Sequence, residues 1–553
     1  MKPLNRFSLV VPIIGLIFIA HKTCFAANVL FMHTGSTYSH RVAEWPLVEG
    51  LLAKGHNVTF ISPFGPSGKM AHQKVTEIVP PALHSLVSSL LTDNFDVNYR
   101  AYGILPPLFV VMDLFSYQVC DVTLSSPEIQ EWLAKKPKID LVIGDMITEC
   151  SSGLALHFGA KHALFSPIPL ITEQYEYLGI SSESASIPDY DVTRPVPLTF
   201  VARVIGTILP LYYLVMDVAL YPWYAALFSR TLGLDQLPDV HEMRGKVDLL
   251  LINGNYISDY PRSWPPLVAK VEGIHIKKNK ERKPLAKDVE NFINSRTENG
   301  SISDGFLFMS FGTVAKAPSL PVALKKIFFD TIESFPNIKF IWKWDGKKPE
   351  IYPKNLLMVP WVDQQDILAH PKIRGFLTQA GRPSTQEALY HEVPMITFPI
   401  LGDQDFNAQR SADLGLSVLL DFVGLTEENL KNAISEILTN KKYKERVSQL
   451  ANLARDVIFD PVDVGVWWVE FVMRHTQEEL DLMKPLGRHL SWYQKRNLDC
   501  WLFLLLLFLA GSYLTFFICK RLLNRFMFSN GNESSSQTTN TSTNNNAHSK
   551  KTN

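Results

Sequence analysis

Several apolar stretches of this chain end in polar groups that a buried strand does not need for its own sake. The stretch "IRGFLTQAG" runs into Thr378, Gln379, Ala380 and Gly381, and Pro383 then opens a helical pattern. A second stretch, "MITFPI", leads to the acid–amide pair Asp403 and Gln404. Further back, "IDLVIGD" ends at Asp145, "GFLFMSFGT" at Gly312 and Thr313, and "NLLMVPW" at Trp361, while "NVLFMHT" passes through a polar loop to His40. An imidazole can move a proton near neutral pH, and amides and carboxylates can hold hydroxyl groups. A helix start offers free N–H groups to an anion, and proline suits its first position because it has no N–H to leave unsatisfied. Two Asp-x-Asp sequences, Asp189 to Asp191 in a proline-rich loop and Asp403 to Asp405, have a spacing that can hold a divalent ion on a diphosphate.

The elements that must position these groups alternate. "NVLFMHT", a helical pattern through Trp45, Val48 and Leu52, and "NVTFIS" form a strand–helix–strand unit, which favours a parallel sheet. "IDLVIGD" and "HALFSP" continue it. A second series starts after the charged "EMRGKVD" with "LLLINGN" and runs through "GFLFMSFGT", "KFIWKWDG", "NLLMVPW", "IRGFLTQAG" and "MITFPI". The expectation is two doubly wound α/β domains meeting near residue 246: residues 27–246 and 247–490. Ligands in such sheets bind beyond the carboxyl ends of the strands, where the polar groups fall. The very apolar stretch 201–228 is interrupted by Arg203 and Asp217, too soon for a bilayer span. It reads as a buried helix pair or as a segment resting on a membrane surface.

Lysine plus arginine and aspartate plus glutamate number 54 each in 553 residues, so no global field points to nucleic acid. Residues 1–26 have Lys2 and Arg6 before a short apolar run and small residues, the pattern of a cleaved secretory signal, with a retained anchor as the alternative. Residues 500–519 carry no charge and read as one transmembrane helix. Lys520, Arg521 and Arg525 follow and place residues 520–553 in the cytosol, although Lys495 and Arg496 flank the other side. That tail is polar and low in complexity, and Lys550 and Lys551 resemble a retrieval signal for the endoplasmic reticulum. The expectation is therefore a single-pass type I protein of that membrane with a luminal body. Cys120 and Cys150 allow at most one luminal disulfide, with free thiols the alternative. Asn57 and Asn299 begin sequons facing the lumen, and Asn299 lies in the more polar surroundings.

The stretch "VPWVDQQDILAHPKIRGFLTQAGRPSTQEALYHEVPMITFPILGDQ", Val359 to Gln404, resembles the donor-binding signature of membrane-bound UDP-glycosyltransferases, the UDP-glucuronosyltransferase and UDP-glucosyltransferase group. "LFMSFGT", "FIWKWDG", "GHNVTFISP" and "HLSWYQKRNLD" extend the resemblance over nearly the whole chain. It implies a GT-B fold, with two Rossmann-like domains facing across a cleft, the first for the acceptor and the second for UDP-glucuronate or UDP-glucose. The implied reaction moves the sugar with inversion to a hydroxyl of small lipophilic acceptors, with UDP-sugar as co-substrate, no cofactor and no metal. Homo- or hetero-oligomers remain open.

Carried onto this sequence, the resemblance gives Trp361 a uracil ring to stack on, an interaction of roughly 1–3 kcal/mol. Gln364 then binds base or ribose, Glu387 the ribose hydroxyls, and Asp403 with Gln404 the sugar hydroxyls, which leaves Asp403 and Asp405 little room for a metal role. The diphosphate falls at the helix near Pro383 and Ser384, with Thr313 opposite. His40 in its "SH" context matches the catalytic base, and Asp145 the carboxylate that orients it; His33 is the alternative base. The pattern departs where the family carries His-Gly-Gly, since this chain has Gln379, Ala380 and Gly381. Gln379 can replace the histidine's hydrogen bond but not its positive charge. Arg382 either supplies that charge or points to solvent. The intact His40, Asp145, Trp361, Glu387 and Asp403 favour an active enzyme, while Gln379 and Pro383 keep alive a catalytically weak scaffold for lipophilic ligands or partner subunits.

Overall fold

The computed structural model describes residues 26–35, 37–66, 72–89, 100, 108–180, 183–189, 196–277, 283–297, 300–312 and 315–533. The secretory signal, Asp191, Asn299, Thr313 and the dilysine end therefore lie outside the described residues. The chain divides into two compact units, Met1–His489 and Leu490–Asn553.

The first unit contains two parallel sheets. One has seven strands, β1 (Asn28–Met32), β2 (Asn57–Ile61), β3 (Val75–Ile78), β4 (Leu141–Asp145), β5 (Lys161–Ser166), β6 (Leu249–Ile252) and β7 (Val268–Lys270), in the order β3-β2-β1-β4-β5-β6-β7. The other has six, β8 (Phe306–Ser310), β9 (Lys339–Lys343), β10 (Leu356–Val359), β11 (Ile373–Thr378), β12 (Met395–Thr397) and β13 (Ser417–Leu419), in the order β10-β9-β8-β11-β12-β13. Strands covered on both faces read as nearly continuous apolar runs, as in Leu141–Asp145 and Phe306–Ser310, where every residue is buried. Register brings the strands to a common edge: Thr378 lies level with Ser310 on one side and Thr397 on the other. The residues that follow these three strands must therefore emerge side by side.

Two features correct the expected division at residue 246. Leu249–Ile252, expected to open the second domain, pairs with Ala163–Ser166 as the sixth strand of the first sheet. Near the other end, the helix Pro461–Arg474 returns to the first domain, where Val466, Val469 and Val472 join the buried cluster that holds Val29, Phe31, Leu249 and Leu251. Both assignments failed for one reason: an apolar strand or amphipathic helix shows that it must be covered, but not by which domain.

The stretch 201–228 belongs to a single helix, Phe200–Leu232, with Pro210 and Pro222 inside it, so the expected helix pair does not form. Leu220, Tyr224, Leu227 and Phe228 pack into the first domain's core. Phe200, Val201, Val204, Ile208, Val215 and Val218 stay exposed along the outer face. Cys120, in the helix Leu108–Leu124, forms a disulfide with Cys150 at the start of the helix Cys150–Phe158, their Cα atoms 5.2 Å apart. The second unit is dominated by the helix Leu498–Glu533, whose segment Leu498–Met527 is long and apolar enough to cross a membrane.

Candidate active site

His40 is the third residue of the helix Tyr38–Ala53, directly after the loop that leaves β1. Its side chain is half-buried, and the buried Nδ1 has no hydrogen-bond partner among the described residues. Burial, and secondarily His33, pushes its pKa down to about 3, so the imidazole is neutral and able to accept a proton. His33 stands edge-on to it, with ring centroids 6.4 Å apart. The nitrogens of His33 are already engaged, Nε2 with the Thr37 carbonyl at 3.2 Å and Nδ1 with Glu44 at 3.4 Å. His40 borders the large cavity and His33 does not, which separates the two candidate bases.

Asp145 does not take the expected place beside the imidazole. One carboxylate oxygen accepts the backbone N–H groups of Thr34 and Gly35 at 2.8 and 3.0 Å. The other accepts those of Ile147 and Thr148 at 2.9 and 3.1 Å. Four backbone donors fill the carboxylate, which ties the loop after β1 to the turn after β4. Asp145 thus braces the segment leading to His40 without touching its ring.

In the second domain, the helix Arg382–Tyr390 starts just beyond β11, with Gly381 as its N-cap and proline in the first turn. Its N-terminus opens toward the cavity, where Gly381, Pro383 and Ser384 are among the lining residues. Glu387, one turn in, accepts from Gln364 Nε2 at 2.7 Å and from Gln365 Nε2 at 3.2 Å. Gln364 also donates to Ser384 Oγ at 2.9 Å. Burial pushes the Glu387 carboxyl up to about 7. These contacts bring together Gln364, Ser384 and Glu387. Trp361 is 63% exposed and borders the cavity.

Gln379 packs so closely on Gly312 that a Cβ there would lie 2.3 Å from its Nε2, and Gly312 has the positive φ of +80°. Asp403 accepts from the backbone N–H of Arg382 at 3.2 Å and from Asn407 Nδ2 at 2.5 Å. Gln404 uses Oε1 to accept from the N–H groups of Ile400 and Leu401. Asp405 turns instead to Arg100, so Asp403 and Asp405 do not converge as a metal site would require.

Arg382 does not point to solvent, the second alternative offered by the sequence. It is fully buried, its Nε donating to Asn407 Oδ1 at 3.0 Å and one terminal nitrogen reaching Ser258 Oγ at 3.4 Å. The guanidinium is thus hidden from solvent, yet Arg382 borders the cavity and its Nη2 has no hydrogen-bond partner among the described residues. Sequence reasoning also missed His275 and Lys277, which arrive after β7: Gln365 donates to the His275 carbonyl at 3.0 Å and accepts from the Lys277 N–H at 2.7 Å. No local motif announces them. Asn407 could have been found, because it lies one helical turn after Asp403.

One cavity of about 1320 Å³ is bordered by His40 from the first domain and by Trp361, Gln364, Gln379, Ser384, Glu387, Asp403 and Gln404 from the second. On the first-domain side its wall includes Phe115, Ile147, Ile168, Tyr213 and Tyr224. The charged residues there include Glu49 and a cluster in which Arg244 meets Glu149 at 2.9 Å and also Glu173 and Asp217. Asn57, exposed at the start of β2, donates from its side chain to Asn28.

Comparison with known proteins agrees with this arrangement. The chain is similar to the UDP-glucosyltransferase 2 of Dactylopius coccus, 28% identical over 89% of this chain and 93% of the relative. It is 30% identical to the human UDP-glucuronosyltransferase 1A3 over 69% of this chain and 68% of the relative. Among solved structures, a Polygonum tinctorium UDP-glucosyltransferase capable of glucosylating indoxyl superposes with a TM-score of 0.56 at 15% identity, covering 82% of this chain and 99% of that one. A UDP-glucose:anthocyanidin 3-O-glucosyltransferase in complex with UDP gives 0.53 at 16% identity, over 81% and 99%. These likenesses show the GT-B fold. Residues 31–533 match the family described as UDP-glucoronosyl and UDP-glucosyl transferase, and with two facing parallel sheets and the signature residues gathered on one cavity, the chain belongs to that family.

Proposed function

We propose that the protein transfers glucose or glucuronate from the UDP-sugar to a hydroxyl of small lipophilic acceptors, with inversion at the anomeric carbon. The observation that carries this reading is the single cavity shared by His40 and the donor-side residues. In the proposed step, the acceptor oxygen attacks the anomeric carbon while His40 takes its proton. The bond to UDP breaks, and the departing diphosphate is stabilised by the dipole of the helix Arg382–Tyr390 and by the first-turn N–H of Ser384, since Asp403 holds that of Arg382 and Pro383 has none. A buried imidazole with a low pKa is a weak base until a negative charge is brought near it. The bound diphosphate supplies that charge, which couples proton acceptance to donor binding.

The apolar and aromatic wall supports lipophilic acceptors. The N-terminal pattern, the helix Leu498–Glu533 and the basic residues after Cys519 support a cleaved signal, a luminal body anchored in the endoplasmic reticulum membrane and a cytosolic tail. Asn57, exposed in the folded body, is open to glycosylation, and Asn299 is proposed alongside it from its sequon. Incubating the full-length protein in microsomes with UDP-glucose or UDP-glucuronate and a phenol and sterol panel tests the reading. The expected product is a β-glycoside, identified by its anomeric proton coupling. A second reading, a ligand-binding scaffold, draws on the absence of an Asp145 contact with His40. UDP binding without transfer to any acceptor would favour it.

A further inference from the structure

Residues 271–277 leave β7 of the first sheet as a strap and meet the second domain at the helix Gln364–Leu368. There two main-chain groups allow the buried Gln365 amide one orientation only. A carbonyl can face only the nitrogen of an amide, and an N–H only its oxygen. Nε2 therefore donates to the His275 carbonyl at 3.0 Å, and Oε1 accepts from the Lys277 N–H at 2.7 Å. The second hydrogen on Nε2 falls to Glu387 Oε1 at 3.2 Å, while Glu387 Oε2 is taken by Gln364 Nε2 at 2.7 Å. The strap is held down on either side of this contact. His275 turns Nε2 to the Pro383 carbonyl at 3.4 Å, and Lys277 pairs with Asp366 at 3.3 Å and with Asp363. Each carboxylate oxygen can accept twice, so each oxygen of Glu387 keeps one free acceptor position after its glutamine is served. Glu387 borders the cavity, and two adjacent acceptors are what a vicinal diol requires.

Resting on the donor reading above, we infer that Gln365 is a positioning residue for the donor: through its amide, the strap from the first domain orients Glu387 to receive the two ribose hydroxyls of the UDP-sugar. Both N–H groups and the oxygen of the Gln365 amide are engaged by the protein, so it acts through Glu387 and not on the ligand. Ribose recognition then depends on how the strap is seated as well as on the second domain's own residues.

The test measures binding of UDP and of 2′,3′-dideoxy-UDP to the detergent-solubilised full-length protein and to its Gln365→Met and Gln365→Asn variants. The parent should bind UDP at least about tenfold more tightly than the dideoxy nucleotide, the range of a charge-assisted hydrogen bond. Gln365→Met is expected to bring UDP to within about threefold of dideoxy-UDP, whose own affinity changes less than about twofold. Gln365→Asn keeps an amide but is one methylene too short to join the strap to Glu387. It should shift UDP in the same direction, and it decides the outcome where Gln365→Met does not fold. Retained dideoxy-UDP binding shows that a variant site is folded. Equal weakening of both nucleotides would make Gln365 a structural link between the domains and overturn the inference, as would unchanged UDP affinity or a parent that binds the two nucleotides alike. Failure of the parent protein to bind UDP would instead overturn the donor reading itself.

Discussion

At the residue scale, burial and hydrogen-bond saturation separate groups that the sequence could only name. His40 borders the cavity, so His40→Ala should lower kcat by about 10²-fold or more and leave UDP affinity nearly unchanged. Near-normal turnover in steady-state assays would remove it as the base. Arg382→Ala acts differently, because it deletes a buried guanidinium bonded to Asn407 and Ser258. It should cost about 2–3 kcal/mol of stability, visible as a lower unfolding midpoint, whereas a solvent-facing arginine would leave the midpoint unmoved. For Glu387 the folded pKa of about 7 lies above the ordinary carboxyl value of 4.5, so the folded state favours the protonated form. That stabilisation is complete below about pH 4.5 and lost as pH rises through 7. Relative to Glu387→Gln, the parent should therefore lose stability between pH 5 and 7.5. A constant difference in unfolding midpoint across that range would show that burial does not shift this carboxyl.

At the element scale, the shared edge of β8, β11 and β12 sets the geometry of the donor side, and Gly312 is its tightest point. Its φ of +80° and the 2.3 Å approach to Gln379 leave no room for a side chain. Gly312→Ala should cost about 1–2 kcal/mol in backbone strain alone and weaken UDP binding by displacing Gln379. An unfolding midpoint and UDP affinity equal to the parent's would contradict this crowding. The donor side was legible in the sequence because its residues lie close together in the chain, at strand ends and on the first turn of one helix. Gln364, Ser384 and Glu387 span little more than one strand–helix unit, and the structure joins them through hydrogen bonds. Asp145 was misjudged because a match of position says nothing about what already fills a carboxylate.

At the scale of the whole molecule, the helix Pro461–Arg474 makes the two domains of the body interdependent. Val466, Val469 and Val472 are buried against the first sheet, each side chain worth about 1.5–3 kcal/mol. Together they rival the total stability of many domains, 5–15 kcal/mol. A fragment of residues 27–277 should therefore expose this face and aggregate, and adding residues 455–489 in trans should restore a cooperative unfolding transition. A fragment that is monomeric and melts cooperatively by itself would show that the returning helix is dispensable. The same helix imposes an order of events during synthesis. The first sheet has all its strands once Lys270 has emerged, yet its cover is encoded nearly two hundred residues later. At about 5–20 residues per second, the nascent chain must hold that bare face for roughly 10–40 s while the second domain is made. The first domain to be translated is thus the last to be finished, and a chaperone that binds apolar surface has its longest opportunity there.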